Sequence, residues 1–406
     1  MSNQRKRAIG ALATLGAAAA VLALSAGPAL ADPVNPDTGA YTRNRTLNGT
    51  GSDTTQDLNN ALAAVVTNQS GALILGSWDA TVPSGQGDFI VTRTGGTSIP
   101  RPNGSGQGVA ALRAAVDGQS LTNPRGTSSG SLNSNDLQFA RSSSGVPYST
   151  SGDYSYVPLA VDAVTYAVAN ANTTLPRNLS VDDLTAIYSA SNGDTVTTEA
   201  GSSYVIGTDL VPFLPQTGSG TRSFFIGELG LTEQELGSAV RWTYGTGNTL
   251  VQEHDGAVLD AIPNAIVPFS IAQYIAQSRA SNLTILYSVS VVDRRHSATL
   301  AKIDGIDPIR NGVLNTAFPV KRAVFTVVEY DAIASNTNLA YAFIDNPSTA
   351  SVTEGAVYWA ESPDGESYVI EDFGFGSLIN RDTLGNGVTI KGNLYKAGDA
   401  ASYRTN

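Results

Sequence analysis

Apolar positions along the chain follow two rhythms. Leu58, Leu62, Val65 and Val66 recur at i, i+4, i+7 and i+8, the spacing of one helix face. Val109, Leu112, Ala115 and Val116 again keep helical spacing. Between them stand short β-prone runs, Phe89-Ile90-Val91 and Leu137-Gln138-Phe139-Ala140. The stretch from Val157 to Ala169 is nearly all apolar, which predicts a central strand covered on both faces. Leu179 to Leu184, continued by Ile187 and Tyr188, predicts a capped helix whose Asp182 and Asp183 complement its dipole. Asp331 to Phe343 predicts another helix. Strands alternating with helices predict an α/β class with mixed, mostly parallel sheets.

The joints between these elements are rich in glycine and hydroxyls. Gly51-Ser52-Asp53-Thr54-Thr55 precedes the first helix, and Arg101-Pro102-Asn103-Gly104-Ser105-Gly106 precedes the second. Gln216-Thr217-Gly218-Ser219-Gly220-Thr221-Arg222 leads into the helical start at Ser223-Phe224-Phe225. Glycine allows a sharp turn and close approach, and the N–H groups of a new helix present positive dipole ends. Taken singly, each loop is an ordinary helix cap. Three of them make a set of anion-binding donors. The predicted strand at 137–140 also runs out into Arg141-Ser142-Ser143-Ser144, and ligands sit at the carboxyl ends of α/β strands.

Residues 1–31 carry Arg5, Lys6 and Arg7, an apolar run from Ala8 to about Ala26, and Pro28-Ala29-Leu30-Ala31. This is the pattern of a secretory signal cut after Ala31, too short and glycine-interrupted to span a membrane comfortably. Its loss takes the formal charge from −11 to −14. Such an acidic chain holds neither nucleic acid nor an anionic membrane by bulk field, so any anion must be captured by directed donors. There is no cysteine. Export without disulfides leaves stability to burial, and there is no cysteine for a lipid anchor. About 375 residues are enough for two lobes with full cores, and a monomer is expected.

Catalytic and metal signatures are sparse. Gly126-Thr127-Ser128-Ser129-Gly130 matches a nucleophile elbow in form but lacks the strand and helix it requires. Gln252-Glu253-His254-Asp255-Gly256 is the one cluster with acid–base character, and no Ser-His-Asp spacing accompanies it. No residue set has metal-ligand spacing, so neither metal nor cofactor is expected.

In their order and spacing, the segments at 51–57, 101–106, 139–143, 179–184, 215–222, 265–270 and 318–320 resemble the phosphate-binding proteins of ABC transporters, most of all the actinobacterial branch. The resemblance covers about Gly49 to Val328. It implies a type 2 periplasmic binding protein fold, with two α/β lobes joined by two crossover strands and a ligand between them. Lobe one would take 44–168 plus 268–406, and lobe two 169–267. Ligand donors would be Asp53, Thr54, Ser105, Ser142, Ser143, Ser219, Gly220 and Thr221. The family's arginine ahead of the loop serine is replaced by Pro215, and its strand-edge aspartate by Ser142 or Ser143. Asp53 is then expected to accept the ligand's proton, and Arg141 or Arg222 to supply the cation. The implied function is secreted capture of phosphate or a related oxyanion for an ABC permease, without catalysis. A phosphoester hydrolase on this scaffold and a non-transport surface or matrix protein are the alternatives.

Overall fold

The computed structural model describes residues 32–33, 44–83, 86–344 and 354–406. The expected signal segment 1–31 lies outside them. The architecture is mixed α/β around one nine-stranded mixed sheet. Its strands are β1 (Leu47–Gly51), β2 (Leu75–Ser77), β3 (Phe139–Ser142), β4 (Tyr154–Ala169), β5 (Val211–Pro212), β6 (Ala265–Ser270), β7 (Ala298–Leu300), β8 (Lys321–Glu329) and β9 (Arg404–Thr405).

β4 organises the sheet. It has 16 residues, all buried, as its near-continuous apolar run requires. Its first part pairs antiparallel with β8, from Tyr154 to Ala163. Its last part pairs antiparallel with β6 and β7. One strand therefore joins two groups, β8-β3-β1-β2 at one end and β6-β5 with β7 at the other. The parallel ladders are β1 with β2, β1 with β3, and β5 with β6. β7 lies beyond residue 268, yet it pairs with the β4 half that carries β6.

Four helices matter for the site. They are α1 (Gln56–Val65) after β1, α2 (Ser105–Asp117), α3 (Val181–Ser189) and α4 (Gly220–Glu228) after β5. In α3, Asp183 closes a capping box with Ser180, so it serves the local N–H groups as well as the dipole. The 126–130 match falls on a polar hairpin, residues 120–122 with 128–131, and not on a strand-to-helix turn. The predicted helix at 331–343 is two short ones, Ala332–Ser335 and Thr337–Phe343, with Phe343 packed on Phe139 at 5.1 Å. The chain's last residues form β9 against the start of β4.

Candidate functional site

The carboxyl ends of β1, β3 and β5 open onto the three glycine–hydroxyl loops, which touch one another. Gly104, at φ 109°, sits so close to the 216–219 loop that an added Cβ would stand 2.6 Å from the Gly218 carbonyl oxygen. The N–H of Gly106 donates to that same carbonyl at 3.4 Å. Gly220 opens α4 directly against two serines, where a Cβ would stand 2.3 Å from both Ser105 Oγ and Ser143 Oγ. Those hydroxyls are 3.3 Å apart, and the Ser143 N–H donates to Ser105 Oγ at 3.0 Å. Ser219 caps α4 by accepting the Arg222 N–H.

At the centre lies a fully buried polar cluster. The Glu253 carboxylate oxygen Oε2 accepts from Thr54 Oγ1 at 3.1 Å and from Thr221 Oγ1 at 3.0 Å. Arg322 Nη2 donates to the same two hydroxyls, at 3.3 and 3.0 Å. The two threonine oxygens are themselves only 3.2 Å apart. Arg322 Nη1 donates to the Ser143 carbonyl, and the Arg322 guanidinium lies over the Phe224 ring. Asp162 takes Nε and Nη2 of Arg322 on one oxygen and Ser270 Oγ on the other. A single donor array thus holds the protein's own carboxylate.

His254 closes the cluster, with a backbone φ of 55°. Its Nδ1 faces the Ser270 N–H at 3.2 Å, and a backbone N–H can only donate. The ring proton therefore sits on Nε2, which reaches Thr54 Oγ1 at 2.9 Å and Glu253 Oε2 at 3.3 Å. Burial alone would raise the Glu253 carboxyl. The hydrogen bond from His254 and the Arg322 charge oppose it and hold the group below its ordinary carboxylate value. Among the described residues, buried Glu253 Oε1 has no hydrogen-bond partner.

Thr54, Ser105, Ser143, Ser219, Gly220 and Thr221 come together here. The other expected donors are engaged elsewhere. Asp53 is ion-paired with Arg294 at 3.1 Å. Arg141 reaches back to Ser77 Oγ and the Ser52 carbonyl. Arg222 turns outward to Glu233 and the Pro215 carbonyl, beside Trp242. The Ser142 hydroxyl bonds to the Ser144 carbonyl. At the centre stand Glu253 and Arg322, while Asp53 and Arg222 are each held in an ion pair and Arg141 by Ser77 Oγ and the Ser52 carbonyl.

Arg322, Asp162 and Glu253 escaped the reading of the loops. Glu253 stands in the acid–base cluster at 252–256, and the signal of the other two lies in the strands. Asp162 is the one acid inside an apolar β run, and Arg322 stands at the mouth of another. Buried charges of opposite sign in two strands call for pairing.

Among the described residues, no group of side chains is arranged to hold a metal ion, and no helix is long and apolar enough to cross a membrane. No family model and no curated protein matches the chain. Solved structures similar in chain path include an ABC-type phosphate transport receptor from Vibrio cholerae, at 16% identity and a TM-score of 0.41, covering 72% of this chain and 91% of that one. A human phosphate-binding apolipoprotein has 14% identity and a TM-score of 0.41, with 82% and 91% covered. A phosphate-binding protein from Stenotrophomonas maltophilia has 13% identity and a TM-score of 0.37, with 82% and 91% covered. Identities this low leave the ligand to be argued from this chain's own residues.

Proposed function

We propose that this chain is a secreted, two-lobed solute-binding protein that captures phosphate or a related oxyanion and passes it to an ABC permease. Lobe one is 44–168 plus 268–406, and lobe two is 169–267. The observation that carries the reading is the buried array around Glu253. Thr54, Thr221 and His254 converge on one carboxylate oxygen, backed by Arg322. An array that holds a carboxylate has the donors an external oxyanion needs. Ser105, Ser143, Ser219 and Gly220 extend it. Asp53, Arg141 and Arg222 serve from behind by fixing the loops.

Charge then selects the ligand. Arg322 is balanced by Asp162, and with the His254 ring neutral, its Nδ1 accepting from Ser270, the Glu253 carboxylate leaves the cluster net negative. A fully ionised dianion such as sulfate would meet that charge unshielded. An oxyanion that carries a proton can donate it to the unpaired Glu253 Oε1. The expected order is phosphate well above sulfate. Calorimetric titration of the purified protein with both tests this, and no binding of either at millimolar concentration overturns the reading.

A second reading rests on the close approaches of Thr54 to Thr221 and of Ser105 to Ser143. In it the cleft is closed permanently on Glu253 and the fold serves a surface or matrix role. Absence of any oxyanion binding, in wild type and in Glu253→Gln alike, favours it. Hydrolysis is disfavoured by the His254 tautomer. Its Nε2 proton points at Thr54, so the ring cannot take the proton from that hydroxyl.

A further inference from the structure

Asp32 lies far from the oxyanion cluster in function but is 1% exposed. Its two carboxylate oxygens accept from Arg101 Nη1 and Nη2, both at 2.8 Å. Its Oδ1 also accepts the Asp79 N–H at 2.9 Å, and Arg101 donates to the Asp79 carbonyl at 2.9 Å. Arg101 thereby balances Asp32. Nothing of the kind balances Asp79. Its carboxylate is 3% exposed and accepts from Asn60 at 2.8 Å. Among the described residues, no ion pair reaches it. Burial and the neighbouring Asp32 push its carboxyl well up, and Arg141 counters only from a distance. A buried acid with one amide donor is an incomplete arrangement.

We infer that proteolysis between Ala31 and Asp32 creates an α-ammonium at Asp32 that seats against the Asp79 carboxylate and completes this buried ion cluster. Two independent features meet here. Pro28-Ala29-Leu30-Ala31 is a cleavage pattern in the sequence. The very next residue is docked by its side chain on the Asp79 N–H and Arg101, and its α-nitrogen is three bonds from that docked carboxyl carbon. In the step itself, water adds across the Ala31–Asp32 amide. The carboxylate leaves on Ala31, and the freed amine takes a proton, its ordinary pKa being about 7.7–8.0. Because Asp32 is buried in the folded chain, cleavage precedes docking. Arg101 also opens the loop that ends at Ser105, so the new terminus ties down the base of a site loop.

The test begins with the intact mass and N-terminal sequence of the exported protein. A chain of 32–406 with a free amine is expected, and any other start overturns the inference. Thermal unfolding at pH 7 then compares a chain starting at Asp32 with one carrying a single extra alanine before it. The extension is expected to lower Tm by at least about 3 °C, since it moves the charge away from a buried partner. In an Asp79→Asn background the difference between the two chains should vanish. Equal Tm values with Asp79 present overturn the inference. A difference that persists in Asp79→Asn also overturns it, because it then belongs to crowding by the extra residue. None of these readouts depends on oxyanion binding.

Discussion

Arg322 and Asp162 are register partners on β8 and β4, and their side chains meet at 2.8 Å with almost no exposure. This cross-strand pair sets the height of Arg322 beneath Thr54 and Thr221. Asp162→Asn leaves a buried guanidinium without its counter-charge. A loss of about 3 kcal/mol is expected in urea unfolding. A loss below about 1 kcal/mol would mean that the Ser143 carbonyl and the threonines satisfy Arg322 without Asp162.

Gly220→Ala tests the contact between the loops. The added methyl would meet Ser105 Oγ and Ser143 Oγ at 2.3 Å, and relief requires the 216–220 loop to back away. The expected cost is about 1–3 kcal/mol, with oxyanion affinity falling alongside. Gly227→Ala in the same helix is the control. No atom lies within 4 Å of its added Cβ, so it should stabilise by up to about 1 kcal/mol. Equal effects at the two positions would show that Gly220 is not held against the serines.

Glu253 governs the acid limb of stability. Its folded pKa, about 2, lies below its unfolded value near 4.5. Its contribution is therefore complete above about pH 4.5 and is lost as pH falls toward 2. Melting curves between pH 2 and 6 should show wild type falling faster than Glu253→Gln across that window. Parallel curves would mean that the carboxylate is not held by Thr54, Thr221 and His254 in solution.

Asp57 behaves in the opposite sense. Burial first, and then the neighbouring Asp53, raise its carboxyl to about 6 in spite of Arg294. The folded state thus binds the proton more tightly than the unfolded chain, and stability declines as pH rises from about 3.8 to 6. Asp57→Asn removes that decline. It should stabilise the protein at pH 7 by about 1–3 kcal/mol, and the gain should disappear near pH 4. A gain that is independent of pH would assign the effect to something other than the buried charge.

The loops were legible because their chemistry is local. Glycine, serine and threonine ahead of an apolar helical pattern announce a donor-rich turn, as at Gly51 to Thr55 and Gln216 to Arg222. The run from Val157 to Ala169 likewise announced a strand buried on both faces. Nothing local says which charged side chain points inward. Arg141 and Arg222 sit beside the right serines in sequence. Yet Arg141 follows the pleat of β3 toward Ser77, and Arg222 follows the turn of α4 toward Glu233. Arg322 reaches the cluster from 101 residues beyond Thr221, through sheet pairing, and Glu253 from 32 residues beyond it, beside His254 held at positive φ. Such register is a tertiary property, and only the isolated charges Asp162 and Arg322 inside apolar runs hinted at it.

The division of labour between the two arginines yields the sharpest binding prediction. Arg322 is 4% exposed and donates to both threonine hydroxyls at the centre. Arg222, in the first turn of α4, pairs with Glu233, whose side chain is 49% exposed. Removing a charged donor from a buried site costs about 1.5–3 kcal/mol, so Arg322→Gln should weaken phosphate binding roughly 10- to 100-fold. Arg222→Gln breaks a pair that is largely screened, worth about 0.5–1 kcal/mol of stability, and should leave affinity within about twofold. Calorimetry on the two variants, each checked for folding by circular dichroism, decides the matter. A larger loss of affinity in Arg222→Gln would return the anion's cation to the lobe-two loop and remove Arg322 from the site.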